Sequence, residues 1–119
     1  MNYFAIPGLI RNTDTLRIYN FKEIANGCCR YFDVSITEIL SRKRDENTAT
    51  ARHFICWLLR RHSNLTFQQI GNIIDRHHSN VIDSCKAAQR LIDYNDYRAQ
   101  LPKIYQAIES DNILKKQAA

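Results

Sequence analysis

The sequence predicts an all-α protein that contains a helix-turn-helix. Its 119 residues include only three glycines and two prolines, and apolar residues recur at helical spacing without the sustained alternation that indicates strands. Between residues 67 and 92, a short amphipathic pattern, a polar turn and a longer amphipathic pattern follow one another. A chain of this length buries one ordinary core, so we expect a single domain with appendages.

The first elements are marked by helical periodicity and capping pairs. Residues 1–19 show no clear pattern and are interpreted as an N-terminal extension. A first helix is predicted from Asn20, which together with Glu23 offers a start cap. Ser35 and Glu38 form a capping-box pair that leads into a short second helix, expected to pack on the first.

The next segment, residues 41–48, has the sequence SRKRDENT and no apolar residue, so an exposed loop is predicted. This segment contains the densest basic run in the chain: Arg42, Lys43 and Arg44. A third helix is predicted from Ala49 to His62. Trp57 lies beside its apolar stripe and is expected to be partly buried; a base-stacking platform is the alternative.

The helix-turn-helix itself is predicted from residues 66 to 92. Thr66 and Gln69 form a capping box at the start of its first helix. Gly71 provides a small residue where the second helix would cross closely over the first. Periodicity alone also fits an ordinary helical hairpin, so the DNA-binding interpretation depends on side-chain chemistry. The polar residues that crowd the start of the second helix are Arg76, His77, His78, Ser79 and Asn80.

The C-terminal part, residues 94–119, is predicted to be a helical extension to a domain that spans residues 20–93. Apolar residues from Tyr97 to Ile108 have helical spacing. Pro102 must then fall in the first turn of that helix or kink it, because proline cannot donate the backbone hydrogen bond.

The charge of the chain is concentrated around the predicted helix-turn-helix. From Arg42 to Arg90 the sequence has nine basic and four acidic residues, and this excess accounts for the whole net charge of +5. Contact with phosphates releases condensed counterions, so such a surface suits double-stranded DNA. A solvated basic surface without a nucleic-acid partner is the alternative.

Other classes of protein fit the sequence poorly. No apolar run approaches the roughly 20 residues needed to span a membrane, and the N-terminus lacks the pattern of a secretory signal. We therefore expect a cytoplasmic protein. The four cysteines contain no C-x-x-C pair, so they are interpreted as small buried hydrophobic residues in a reducing compartment, with no metal expected.

The polar residues of the turn suit base recognition better than catalysis. Neighbouring residues on a helix point about 100° apart, so His77 and His78 are not expected to share a metal ion. Asn80 could bond adenine bidentately, and Arg76 could bond guanine or a phosphate. Helix capping by Ser79 or Asp75 is the simpler alternative. We expect no enzymatic activity.

These residues carry a resemblance to a known family. The segments ITEILSRKR, ARHFICWLLRR, LTFQQIGNII and RHHSNVIDSCKAAQRL are together similar to the C-terminal DNA-binding domain of the bacterial replication initiator DnaA. The similarity covers roughly residues 21–92, and its most specific part is the QQIG step followed by an Arg-x-His-Ser-x-Val signature. The resemblance implies a helix-turn-helix of the DnaA C-terminal or Trp-repressor-like type, with a signature helix in the major groove and a basic loop at the minor groove.

The resemblance also implies roles for individual residues. Arg76, His78, Ser79 and Asn80 match signature positions that contact bases or backbone, and Val81 matches the packing position behind them. We add His77 to the predicted base contacts. The predicted phosphate and minor-groove contacts are Arg42, Lys43, Arg44, Arg52, Gln68 and Lys86.

Some residues depart from the family pattern. His77 replaces an acidic residue, so base preference should change. Asp75 stands where the family favours glycine, in a shorter turn. Thr50 takes the place of the arginine expected to enter the minor groove.

The three glycines form no phosphate-binding loop. We therefore expect no nucleotide cofactor, and interpret the chain as a free-standing relative without the ATPase domain. Such a relative would serve as a regulator or as a replication or transposition accessory. The alternative is a protein-interaction module that has lost DNA binding, with a partner held by the tyrosine-rich C-terminal segment.

Overall fold

A computed structural model describes residues 21–94 and 97–118, and side-chain burial as far as residue 110. The predicted N-terminal extension, and Asn20 as a cap, lie outside the described residues. Within these ranges the fold is all-α, as predicted. The elements are α1 (Phe21–Phe32), α2 (Ile36–Leu40), α3 (Glu46–His62), α4 (Phe67–Ile74), α5 (His78–Tyr94) and α6 (Tyr97–Ala118).

Both predicted capping boxes are present. The amide of Glu38 donates to the Ser35 hydroxyl at 3.1 Å, and its carboxylate accepts from the Ser35 amide at 2.9 Å. The same reciprocal pair joins Thr66 and Gln69, at 3.1 and 2.9 Å. These bonds satisfy amides that a helix start otherwise leaves unpaired, and so they fix where α2 and α4 begin.

Helix α3 begins three residues earlier than predicted. Asp45 caps it, because its carboxylate accepts from the Thr48 amide at 3.1 Å. The sequence prediction extended the loop to Thr48 because no apolar residue precedes Ala49, but Thr48 itself is fully buried. The basic loop is therefore short, residues 41–45, and it is held at both ends by helices.

The middle of α3 forms the centre of the core. Phe54, Ile55, Leu58 and Leu59 are completely buried, and α3 packs against α1, α2, α4 and α5. A helix surrounded by neighbours must be apolar on more than one side. This explains why the apolar pattern of α3 is broader than a single stripe.

Trp57 is 2% exposed, so the prediction of a partly buried edge residue was wrong. The indole N–H donates to the Gln89 side-chain oxygen of α5 at 2.9 Å. The Arg61 guanidinium lies over the ring, 5.0 Å from its centroid. A ring enclosed in this way has no free face on which a base could stack.

Helix α6 packs on α1 and α5 and shares their core. Its residues Leu101, Ile104 and Ile108 are fully buried. A side chain at Gly27 of α1 would overlap Ile108, whose Cα would lie 2.6 Å from the added carbon. The absence of a side chain at Gly27 therefore sets the close approach of the two helices. Pro102 lies inside α6, in its second turn.

Three of the four cysteines, Cys28, Cys56 and Cys85, are buried, and Cys29 is half-buried. Burial raises the pKa of the Cys85 thiol to about 12. A thiol that stays protonated packs as a small apolar group. The predicted structural role of the cysteines fits these positions.

Candidate nucleic-acid interface

The turn between α4 and α5 is closed by Gly71. The amide of Arg76 donates to the Gly71 carbonyl at 2.8 Å, and the Asp75 amide donates to the same oxygen. A side chain at Gly71 would overlap the Arg76 carbonyl oxygen. Glycine at this position is therefore needed for the turn itself, as well as for the proximity of the helices that the sequence predicted.

Asp75 ends α4 in the left-handed conformation, with φ 58° and ψ 52°. Glycine adopts this conformation without the steric penalty of a Cβ, and aspartate is among the few other residues that tolerate it. The structure thus gives a physical reason for the glycine that the resemblance leads us to expect here. It also places a carboxylate beside the basic loop, since Asp75 lies 3.7 Å from the Arg42 guanidinium.

His77 occupies the N-cap position of α5. Its carbonyl accepts from the amides of Asn80 and Val81, at 2.9 and 3.2 Å. Its ring nitrogen Nδ1 accepts from the Ser79 amide at 3.2 Å and lies 2.8 Å from the Ser79 hydroxyl. The sequence alone had suggested Ser79 or Asp75 as the cap, and the geometry assigns that role to the imidazole of His77.

The two histidine rings lie against each other, with centroids 4.2 Å apart and planes inclined by 34°. The expectation that these side chains diverge was wrong. It assumed that both residues are helical, whereas His77 precedes the first helical residue, His78.

The first turn of α5 presents its polar side chains to solvent. His77, His78, Ser79 and Asn80 are exposed, while Val81 directly behind them is fully buried. The helix is therefore anchored from one side and offers donors and acceptors on the other. This arrangement is what insertion of a helix start into a DNA groove requires.

Arg76 joins the turn to the basic loop. Its Nη1 donates to the carbonyls of Ile74 and Asp75, at 3.2 and 3.1 Å. Its Nη2 donates to the carbonyl of Ser41, 35 residues earlier in the chain. The side chain is half-buried. Arg76 thus holds two segments together, a role that its spacing in the sequence could not show.

The basic loop exposes three cations beside the turn: Arg42, Lys43 and Arg44. Lys43 lies 2.6 Å from the Glu38 carboxylate and 3.7 Å from that of Asp45. The hydrogen bond with Lys43 lowers the pKa of Glu38. Pairs this exposed contribute little to stability, so a phosphate can take the place of either carboxylate.

Arg52 is placed differently from the other predicted phosphate contacts. It is only 9% exposed, and its Nε donates to the Ile39 carbonyl at 3.0 Å. Its Nη2 lies within hydrogen-bond distance of the carbonyls of Glu38, Ser41 and Lys43, at 3.3, 3.4 and 3.2 Å. These bonds point the guanidinium into the backbone of the basic loop and away from solvent. We therefore reassign Arg52 from phosphate contact to support of the loop.

Two guanidinium groups, those of Arg52 and Arg76, reach the Ser41 carbonyl at this junction. Burial lowers the pKa of Arg52, and the charges of Arg76 and Arg42 lower it further. Like charges held together by backbone carbonyls create a local positive potential. An anion at the surface of this junction would relieve the repulsion.

Gln68 and Lys86 lie on either side of the turn. Gln68 is the second residue of α4 and is exposed. Lys86 is exposed on α5, seven residues after Ser79 and so on the same side of the helix, about 10 Å further along the axis. Lys86 therefore extends the polar surface beyond the first turn of α5.

Other kinds of site find less support in the described part of the chain. No group of three or more histidine, cysteine or acidic side chains there could hold a metal ion. No helix in the described ranges is long and apolar enough to cross a bilayer.

Comparison with known families decides the relationship. The sequence model described as bacterial dnaA protein helix-turn-helix matches residues 21–87, more than half of the chain. The chain belongs to the DnaA helix-turn-helix family. The matched range includes α1 to α4, the basic loop and the first half of α5, so the surface described above lies within the family's own domain.

Individual relatives support the same assignment. The chain is 28% identical over 81 residues to the chromosomal replication initiator protein DnaA of Acholeplasma laidlawii, 34% over 68 residues to that of Mycoplasma pneumoniae, and 37% over 65 residues to that of Mycoplasma genitalium. These matches cover 67%, 57% and 55% of the chain, but only 18%, 16% and 15% of the relatives. The similarity is therefore to one domain of much longer proteins.

Proposed function

We propose that this protein binds double-stranded DNA with a sequence preference, and that it acts in the cytoplasm as a regulator or as a replication or transposition accessory. The observation that carries the proposal is the junction made by Arg76. Its guanidinium bonds the basic loop at Ser41 and the turn at Ile74 and Asp75. A groove-reading helix start and a cationic loop are thereby held on one surface.

In this proposal the first turn of α5 enters the major groove. Asn80 offers the paired donor and acceptor that match adenine, and Ser79 and His78 can bond to either kind of base-edge group. The positive end of the α5 dipole also favours a nearby phosphate. Asn80 and Ser79 are uncharged, so they discriminate between bases rather than attract the duplex.

Affinity comes from cations that meet the flanking backbone. Arg42, Lys43 and Arg44 lie in the basic loop, and Lys86 lies further along α5. Gln68 adds a neutral contact. Each phosphate neutralised by a cation releases condensed counterions. Arg52 contributes by keeping the loop in place. The proposed activity is binding, and it needs no catalytic group, metal ion or nucleotide.

The experiment that tests this function is selection from a pool of random duplexes, read by sequencing. Wild-type protein should enrich one short motif. Asn80→Ala should lose about 1–3 kcal/mol of binding free energy on that motif and relax one base position. The matched control, Arg44→Ala, should weaken enriched and scrambled duplexes alike. Failure of the wild type to enrich any motif would contradict the proposal.

The protein-interaction alternative rests on fewer residues than the sequence suggested. Tyr97 and Tyr105 pack against the core, and the Tyr105 hydroxyl bonds His62 at 2.7 Å. Of the tyrosines that motivated this alternative, Tyr94 alone is largely exposed, at 81%. The apolar side of the described part of the C-terminal segment thus packs against the protein's own core.

A further inference from the structure

We propose that His77 is a specificity-determining residue that presents a hydrogen-bond donor, through Nε2, to the edge of one base. This inference rests on the proposed DNA-binding function. It depends on the state of the imidazole, which is set by the start of α5 before any DNA is bound.

The N-cap contact of His77 fixes which of its ring nitrogens carries the proton. Nδ1 of His77 lies 3.2 Å from the Ser79 amide nitrogen. A backbone amide can only donate, so Nδ1 must accept and must carry no proton. The Ser79 hydroxyl, 2.8 Å from the same nitrogen, can donate to it as well. The cap therefore selects the neutral tautomer with its proton on Nε2.

The same contact also orients the imidazole ring of His77. Nδ1 faces the first amides of α5, so Nε2, on the far side of the ring, points away from the helix start. The ring of His78 lies against that of His77, 4.2 Å between centroids, which restricts its rotation. His77 is exposed, so its Nε2–H is available to a ligand.

The Nε2–H donor of His77 matches some base edges in the major groove better than others. In the major groove, guanine offers two acceptors, O6 and N7, while cytosine offers the N4 amino donor. A donor at Nε2 fits guanine and opposes cytosine. A carboxylate in the same place would do the reverse, because it only accepts. Adenine N7 and thymine O4 accept as well, but guanine alone offers two acceptors, so His77 should favour guanine and disfavour cytosine at the base it faces.

The matched variant is His77→Asp. Aspartate is a good N-cap, so it accepts from the same amide and keeps α5 in place. Selection from random duplexes should give guanine at one position with wild type, about tenfold over cytosine. The variant should give cytosine at that position and leave the others unchanged.

A second measurement tests the tautomer without DNA. Imidazole ¹⁵N chemical shifts distinguish a protonated ring nitrogen from an unprotonated one, and we expect the proton of His77 on Nε2. A proton on Nδ1 would overturn the inference.

Enrichment of the same base by wild type and variant would also overturn it, while leaving the proposed function intact. Enrichment of no motif by either protein would instead show that the proposed function fails, and the inference with it.

Discussion

Replacing Arg52 with alanine should lower the stability of the fold, and it should weaken DNA binding only through that loss of stability. Removal of the side chain leaves the fully buried Ile39 carbonyl without its charged donor, a loss of about 1.5–3 kcal/mol. The three contacts of Nη2 share two protons, and their acceptors lie near solvent, so together they add about 1 kcal/mol. The free energy of unfolding should therefore fall by about 2.5–4 kcal/mol.

Thermal and urea unfolding measure this loss directly. With an unfolding entropy of about 2.1 cal/mol/K per residue over 119 residues, the melting temperature should drop by about 10–16 °C. The matched control is Arg44→Ala, which removes an exposed loop cation and should leave stability within about 0.5 kcal/mol of wild type.

DNA titration then shows whether Arg52 supports the basic loop or contacts a DNA phosphate. Arg52→Ala should weaken all duplexes together with the loss of stability, because the basic loop is no longer held. An Arg52→Ala protein that unfolds like wild type but binds DNA weakly would refute this reasoning. It would show that the guanidinium touches phosphate rather than the loop.

Three further results are expected. Gly71→Ala should lower stability by several kcal/mol, because the added carbon overlaps the Arg76 carbonyl; urea unfolding of this variant beside wild type measures it. Asp75→Gly should raise stability by up to about 1 kcal/mol by relieving the left-handed φ, and should tighten DNA binding by removing a negative charge; unchanged affinity would place Asp75 away from the duplex. Burial lowers the pKa of His62 from 6.5 to about 4, so the unfolded chain takes up a proton that the folded one excludes, and stability should fall between pH 6.5 and 4; His62→Gln should flatten that part of the profile.

Local chemistry made much of the fold predictable. The capping pairs at Ser35 and Thr66 bond residues three apart, so their sequence pattern contains the whole interaction. The break in apolar periodicity placed the start of α5 within residues 76–80, and α5 begins there, at His78. Each of these boundaries is decided within one helical turn, which is the range over which a sequence pattern is informative.

Long-range contacts explain what sequence analysis missed. Trp57 is buried because Gln89, 32 residues later, satisfies its indole N–H. Arg52 and Arg76 bond carbonyls of a loop whose path depends on how α2 packs against α3. The donors were visible in the sequence, but a backbone carbonyl is present at every residue. Only the fold shows which carbonyls converge.

The sequence therefore showed which residue types lie at the start of α5, but not the structural role of each. The exposed polar turn at the start of α5 lies where the sequence placed it. The capping role of His77 was not foreseen, because histidine is not among the preferred N-cap residues. The available signal was a histidine followed two residues later by a serine, at the start of a predicted helix.

The most direct test of the central claim is the dependence of DNA affinity on salt. Four exposed cations face the proposed duplex: Arg42, Lys43, Arg44 and Lys86. Their contact with phosphates predicts a slope of log affinity against log salt of about −3 to −4, and Arg44→Ala should make that slope shallower by about one. A slope near zero, or one that Arg44→Ala leaves unchanged, would contradict the account.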